Sequence, residues 1–131
     1  MDPARLKDMP FFSSFSEQDL AAVAQHVDEM SVAAGSVLAS EGELGDKFFV
    51  IESGTAEVTR DGAPLTTLAA GDFFGEVALI REERRIATVT ATSAMTLMVM
   101  TGSSFRSLDS SMPEIREKVS RALAERPTSV S

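Results

Sequence analysis

The chain of 131 residues contains no cysteine, no tryptophan, no tyrosine and a single histidine, His26. Without cysteine there is no disulfide framework, no thiolate metal site and no cysteine nucleophile. One histidine excludes the multi-histidine metal sites that many small β-barrels use. The sequence also lacks a Gly-x-Ser-x-Gly elbow, a P-loop and a dinucleotide glycine motif. We therefore expect neither catalysis nor a metal or other cofactor.

Basic residues are also scarce, because 12 Lys and Arg stand against 20 Asp and Glu, for a formal net charge of -8. Nucleic-acid phosphates are bound by clustered Lys and Arg, so we expect no nucleic-acid binding by this chain itself. The apolar runs are far shorter than a membrane span, and the first residues lack the apolar core of a signal peptide. The composition favours a cytoplasmic protein. If the protein binds an anion, it must do so through local geometry and against its own net charge.

The residues that are present predict one domain, since 44% of the chain is apolar and its length suits a single core. Ser16 is predicted to cap a helix that carries an apolar face, and Pro113 suits the first turn of a C-terminal helix. Between these helical parts, glycines recur at intervals of 7 to 12 residues and separate short β-branched and aromatic runs. Such spacing indicates a sandwich or barrel.

Two features of the central part predict particular strands. Asp61-Gly62 is a strong hairpin turn, because glycine adopts positive φ without cost. The run Met95 to Thr101 is apolar on both faces, as a fully buried strand would be.

The segment from Gly71 to Val89 carries the chemistry. Gly75 allows a sharp turn, and the residues that follow have the composition of one helical turn. The free N–H groups at the start of such a turn form a small anion-binding concavity. Arg85, which is predicted to begin a strand, can return its guanidinium to the same concavity, and this pairing suits a singly charged phosphodiester. Glu76 would repel a phosphate but can accept a hydrogen bond from a sugar hydroxyl.

The segments Phe74-Gly75-Glu76-Val77-Ala78-Leu79 and Arg85-Ile86-Ala87-Thr88-Val89 closely resemble the phosphate-binding cassette of cyclic nucleotide-binding domains. The upstream segment from Gly42 to Gly54 is similar to the other glycine signature of this family. The family includes the catabolite activator protein and the regulatory subunits of protein kinase A. The resemblance covers the whole chain. It implies a mainly β fold: an eight-stranded antiparallel β-roll, of the double-stranded β-helix or jelly-roll type, with N-terminal helices and C-terminal hinge and lid helices.

The resemblance assigns boundaries and roles. It implies one domain over 1–131, with these parts: helices over 1–28, the roll over 29–101 with its cassette at 74–88, hinge and lid helices over 102–127, and a tail over 128–131. The amides near Val77, Ala78 and Ile86 would hold the cyclic phosphate, and Arg85 would pair its charge. Glu76, with Gly75, would take the ribose 2′-hydroxyl. Ala87 completes the cassette in the register that makes Arg85 the ligand.

Two positions bear on the base. Members selective for cyclic GMP carry a threonine where this chain has Ile86, so Ile86 favours cyclic AMP as the ligand, with cyclic GMP as the alternative. In several members a residue of the C-terminal helix covers the base. Arg126 is the candidate here, because a guanidinium can stack on a base. The alternative for Arg126 is a solvated helix end.

We therefore expect a regulatory module that binds cyclic AMP and couples binding to movement of its C-terminal helices. An effector domain or protein would respond to those helices, and homodimerisation is open. One alternative is the sensor fragment of a transcription regulator of the catabolite activator type. Another is a degenerate domain that keeps the roll and serves as an interaction module.

Overall fold

The computed structural model describes residues 1–79 and 83–125. The N-terminal part contains helix α1 (Pro3–Lys7), a 3-10 helix (Pro10–Phe12) and helix α2 (Glu17–Ala24). The predicted cap of α2 is confirmed. The Ser16 hydroxyl accepts from the Asp19 amide at 3.1 Å, and the Asp19 carboxylate accepts from the Ser16 amide at 2.9 Å. This capping box satisfies two donors that would otherwise be unpaired at the start of the helix.

The central part forms two four-stranded antiparallel sheets and a two-stranded ladder. The strands are β1 (Asp28–Val32), β2 (Val37–Ala39), β3 (Leu44–Gly45), β4 (Lys47–Ser53), β5 (Ala56–Arg60), β6 (Ala63–Leu68), β7 (Phe73–Phe74), β8 (Glu83–Arg84), β9 (Thr88–Ala91) and β10 (Met95–Thr101). The first sheet has the order β1-β10-β4-β7, the second has the order β2-β9-β5-β6, and β3 pairs with β8. The predicted mainly β roll with flanking helices is confirmed. The described residues contain ten strands instead of eight, because the two-residue strands β3 and β8 form a ladder separate from the two four-stranded sheets.

The hairpin between β5 and β6 has the predicted turn. Asp61 and Gly62 both have positive φ, at 52° and 80°, and Arg60 pairs with Ala63 across the turn. Positive φ at both central residues matches the right-handed twist of the flanking strands. The Asp-Gly pair therefore sets the register of this edge of the second sheet.

Strand β4 separates two hydrophobic cores, because its successive side chains point to opposite faces of the first sheet. Phe49 and Ile51 lie between the two sheets, in the interior of the roll. Phe48 and Val50 face the helices, where they pack with Phe11 and other residues of the N-terminal part. The predicted strand Met95–Thr101 is confirmed as β10, which lies between β1 and β4 and is also buried on both faces.

The C-terminal part contains α3 (Gly102–Ser111) and α4 (Pro113–Glu125). Ile115, Val119 and Ala122 of α4 join the same core as the N-terminal helices. The Lys118 ammonium also donates to the Asp19 carboxylate, so α4 is tied to α2 by an ion pair. Burial acts to raise the pKa of Asp19, but the hydrogen bonds from Lys118 and Ser16 outweigh it and lower that pKa. None of the helices in the described ranges is long and apolar enough to cross a membrane.

Candidate functional site

The site begins at the turn that follows β7. Gly75 has a φ of +81°, and a 3-10 helix (Glu76–Leu79) follows it directly. A Cβ at Gly75 would lie 2.5 Å from the Lys47 carbonyl oxygen and 2.7 Å from Nη1 of Arg85. The position therefore requires glycine for its backbone conformation and for space. This turn brings the start of the 3-10 helix against β4 and Arg85.

Arg85 lies in the connection between β8 and β9. The sequence predicted that Arg85 begins a strand, and this prediction is wrong. The Arg85 backbone bonds instead to the loop before β3. The Arg85 amide donates to the Glu43 carbonyl and its own carbonyl accepts from the Gly42 amide, both at 2.8 Å. Its Nη2 donates to the Lys47 carbonyl at 2.7 Å. The guanidinium is thus oriented by main-chain atoms of the loop and of β4.

Gly45 makes room for this guanidinium. A Cβ built at Gly45 would overlap Nε and Cζ of Arg85 and would lie 2.8 Å from its Cδ. Gly45 has no positive φ, so the requirement is spatial. Any side chain there would displace the arginine.

The charges of the site are partly removed from water. Burial lowers the pKa of the Arg85 guanidinium, and the nearby carboxylates of Asp46 and Glu76 act in the opposite direction. Burial raises the pKa of Glu76, and its own amide and Arg85 offset part of that rise. Among the described residues, Oε2 of Glu76 is buried without a hydrogen-bond partner. A buried carboxylate oxygen of this kind is an acceptor that a ligand hydroxyl can satisfy.

A cavity of about 340 Å³ lies in front of the guanidinium. Its lining residues are Gly45, Val77, Ala78, Glu83, Arg84, Arg85 and Ile86. Among the described residues, none accepts a hydrogen bond from the amides of Val77 and Ile86. Free amides beside a guanidinium make a site suited to one small anionic group.

The structure brings four of the eight predicted site residues to one cavity, and Gly75 forms the turn beside it. Val77, Ala78, Arg85 and Ile86 line the same cavity. The Ala78 amide donates to the Gly75 carbonyl at 3.0 Å, so it is part of the turn. Ile86 is 46% exposed at the mouth of the cavity.

One predicted residue lies away from the cavity, and another is not among the described residues. The side chain of Ala87 is buried in the interior of the roll, where it packs with the sheet residues. The candidate base-covering residue, Arg126, lies outside the described residues.

Sequence reasoning missed the supporting groups. Gly45 and Asp46 were recognised only as part of a glycine signature, and the Lys47 carbonyl is a backbone acceptor that no side-chain pattern reveals. A second cavity, of about 200 Å³, was also missed; Glu76 lines this cavity and is not among the lining residues of the first. Arg106 and Asp109 of α3 and Arg116 and Ser120 of α4 line it. Glu76 therefore lies between the guanidinium and the C-terminal helices.

The chemistry of the site is that of binding. The described residues contain no group of three or more His, Cys, Asp or Glu that could hold a metal ion. What they offer is one guanidinium, free amides and one carboxylate with an unused acceptor. This set matches a ligand that carries one negative charge and a neighbouring hydroxyl.

Similarity to known proteins also indicates a ligand-binding domain. The family model described as "Cyclic nucleotide-binding domain" matches residues 29–111. A cAMP-dependent protein kinase regulatory subunit of Eremothecium gossypii is 39% identical over 104 residues, which are 79% of this chain and 23% of that protein. A cyclic nucleotide-gated potassium channel of Rhizobium etli is 36% identical over 118 residues, which are 90% of this chain and 33% of that protein.

Among solved structures, the regulatory domain of Toxoplasma gondii PKA, co-crystallised with cAMP, superposes with a TM-score of 0.75 at 28% identity. The match covers 94% of this chain and 48% of that one. The chain thus spans about a quarter to a third of the length of these curated relatives, and about half of this structure.

Proposed function

The chain belongs to the cyclic nucleotide-binding domain family, and on that premise we propose that it is a sensor module for cyclic AMP. We propose further that binding moves its C-terminal helices and so regulates an effector domain or protein. Domains of this family are regulatory and non-catalytic. The observation that carries the proposal is the half-buried Arg85 guanidinium, oriented by main-chain atoms beside free amides.

The phosphate is assigned to Arg85 and the adjacent turn. Val77 and Ile86 line the cavity in front of the guanidinium, their amides donate to none of the described residues, and a cyclic phosphodiester carries the single charge that this set can pair. A charge-assisted hydrogen bond of this kind contributes roughly 1.5–3 kcal/mol. The net charge of -8 makes such local pairing necessary, because the surrounding protein does not attract anions.

The ribose is assigned to Glu76. Its unpartnered Oε2 is an acceptor without a donor, and a 2′-hydroxyl next to the phosphate would supply that donor. The raised pKa of Glu76, caused by burial, is consistent with a group that is destabilised until a ligand satisfies it.

The preference for cyclic AMP rests on Ile86. Its side chain stands half exposed at the cavity mouth and has no hydroxyl with which to bond a guanine. An apolar side chain leaves the polar groups of guanine unpaired there, so adenine binds with the smaller desolvation penalty.

Coupling is proposed to run through the second cavity, where Glu76 faces α3 and α4. A ligand that orders Glu76 changes one wall of this cavity while the helices form the other. Movement follows only if the ligand binds more tightly when the helices take one of two positions. The relatives named above include a kinase regulatory subunit and a channel, so the effector is proposed to be controlled through these helices.

Titration calorimetry of the nucleotide-free chain with cyclic AMP, cyclic GMP and linear 5′-AMP tests the proposal. We expect cyclic AMP to bind most tightly. Arg85→Ala should weaken binding by about tenfold to a hundredfold. Arg60→Ala is the matched control, because Arg60 is exposed at the end of β5, in the hairpin.

The outcomes separate the alternatives. A folded wild-type chain that gives no heat with either cyclic nucleotide would establish a degenerate interaction domain. Tighter binding of cyclic GMP would refute the role assigned to Ile86. Equal loss of affinity in the variants of Arg85 and Arg60 would refute the phosphate assignment.

A further inference from the structure

Gly102, at the junction of β10 and α3, occupies a position that connects the proposed phosphate site to the C-terminal helices. It is buried, and it is the first residue of α3 after the N-cap Thr101. Its amide donates to the carbonyl of Asp46 at 3.0 Å. Asp46 lies between Gly45 and Lys47, the two residues that position the Arg85 guanidinium. The start of α3 is thus bonded to the segment that orients Arg85.

The other side of Gly102 lies against the 3-10 helix. A Cβ at this position would overlap the Ala78 carbonyl oxygen and would lie 3.2 Å from Nη1 of Arg106. Gly102 is not among the glycines with positive φ, so its backbone conformation is open to any residue. The glycine is required for space alone, and the atom it makes room for belongs to the main chain.

This close approach has a physical consequence. A side chain can rotate away from an added methyl group, but a backbone carbonyl can yield only if its whole turn moves. The turn in question carries Val77, which lines the cavity in front of Arg85. The position of α3 and the position of this amide are therefore linked by a rigid contact.

We propose that Gly102 is the positioning residue that couples the anion-binding turn to α3. The contact prevents the turn from moving toward α3 unless α3 also moves, so a ligand that shifts the turn in that direction displaces α3 and, beyond Met112, α4. The inference rests on the proposed function, because it takes the 3-10 helix to be the site of the nucleotide phosphate. It adds a residue that touches no part of the ligand and yet sets its affinity.

The test is Gly102→Ala, with Ser103→Ala as the matched control. Ser103 is the next residue of α3 and is exposed. We expect Gly102→Ala to raise the Kd for cyclic AMP by about tenfold, whereas Ser103→Ala leaves it unchanged. The unfolding midpoints of both variants, measured without nucleotide, show whether the temperature of the binding experiment lies well below the temperature at which each variant unfolds.

A distance measurement separates coupling from a loss of packing. Because the chain has no cysteine, Arg121→Cys on α4 and Thr66→Cys on β6 introduce a unique pair of exposed spin-label sites. We expect cyclic AMP to shift the distance between the labels in the otherwise wild-type chain. Gly102→Ala should reduce that shift even at saturating nucleotide. A purely structural role would lower the unfolding midpoint and leave the shift intact.

The outcomes distinguish the inference from its premise. If the wild-type chain binds no cyclic nucleotide, the proposed function fails. If the wild-type chain binds and Gly102→Ala retains both its Kd and its distance shift, the inference alone fails. If Gly102→Ala does not fold, the inference is tested by the NMR chemical shifts of the backbone amides in the wild-type chain, measured with and without cyclic AMP. Cyclic AMP must perturb Gly102 as strongly as Val77, and an unperturbed Gly102 overturns the inference.

Discussion

The interior of the roll and the end that carries the candidate site share strands β4 and β7 but differ in their physical character. In the interior, Phe49 and Phe74 pair across β4 and β7, and their rings stack at 4.6 Å. One residue after Phe74 the chain enters the site, where Gly75 turns and the buried Oε2 of Glu76 has no hydrogen-bond partner among the described residues. The interior contributes stability through packing, whereas the end carries desolvated charge that a bound ligand would satisfy.

The comparison teaches that the site depends on its neighbour. Lys47 begins the strand that carries Phe49 into the roll, and its carbonyl holds the Arg85 guanidinium. The arginine is oriented by backbone that the roll interior makes rigid. We therefore expect substitutions in the interior to act on folding and substitutions at the end to act on binding.

The largest effect should come from breaking the interior. Phe74→Ala removes a fully buried ring and leaves a cavity, so it should lower the free energy of unfolding by about 3–5 kcal/mol. Urea titration followed by circular dichroism measures this. Leu65→Ala is the control, because Leu65 is 55% exposed on β6, and it should change stability by about 0.5 kcal/mol or less. Equal losses in the two variants would contradict the description of the interior.

The next effect should come from breaking the end while the interior stays intact. Gly45→Ala places a methyl group where Nε and Cζ of Arg85 lie, so the guanidinium must leave its position. We expect the Kd for cyclic AMP to rise by about tenfold or more. Gly35→Ala is the control for lost stability, because Gly35 has a φ of +92° and open space around it. That variant should lose roughly 1–2 kcal/mol of stability without losing affinity.

A smaller effect should divide stability from binding at one residue. Glu76→Gln removes a buried charge, so the nucleotide-free chain should become more stable while cyclic AMP binds more weakly. Thermal unfolding and calorimetry measure the two changes. Glu57→Gln, on β5 in the second sheet, is the matched control and should alter neither. A loss of stability in Glu76→Gln would show that the carboxylate is satisfied within the protein.

The same variant has a predicted pH dependence. Because burial raises the pKa of Glu76, the folded chain binds its proton more tightly than the unfolded chain does. The charged carboxylate therefore costs stability above the raised pKa, and the cost disappears below the pKa of the unfolded chain, about 4.3. The stability gained by Glu76→Gln should accordingly grow as pH rises through that window and vanish in acid.

The smallest effect should distinguish two adjacent arginines. Arg84 is exposed, and its Nη1 donates to the Gly42 carbonyl at 2.7 Å, whereas Arg85 is half-buried in the site. Arg84→Ala should change the Kd by about threefold or less. Calorimetry under the conditions used for Arg85→Ala measures it. A loss in Arg84→Ala that matched the loss in Arg85→Ala would mean that both guanidinium groups pair with the phosphate.

Local signals in the sequence account for much of the fold. The capping box at Ser16 and the hairpin at Asp61-Gly62 depend on residues within a few positions of each other, and both were predicted. The run Met95–Thr101 was predicted as a buried strand because apolar residues occupy the positions that point to both of its faces. In the site, the turn at Gly75 could be predicted because glycine adopts a positive φ without steric cost, whatever its neighbours are.

The remainder depends on contacts between distant segments. Gly45 and Gly102 have no positive φ, and each is glycine because another part of the chain approaches it closely. No local pattern reports such an approach. Side-chain patterns likewise do not reveal the role of the Lys47 carbonyl. Arg85 does not begin the predicted strand, because the Arg85 backbone bonds to the loop at Gly42 and Glu43.

The ion pair between Asp19 and Lys118 joins residues that are 99 positions apart in the chain. It also joins the two helical parts on the same side of the first sheet, while the rest of the roll lies between them in sequence. In mechanical terms, a force applied between the two helical parts loads the α2–α4 contact in parallel with the strands. The ion pair and the apolar packing of α4 therefore share the load with the roll. An effector that pulled on α4 would therefore act on the N-terminal helices as well as on the β-roll.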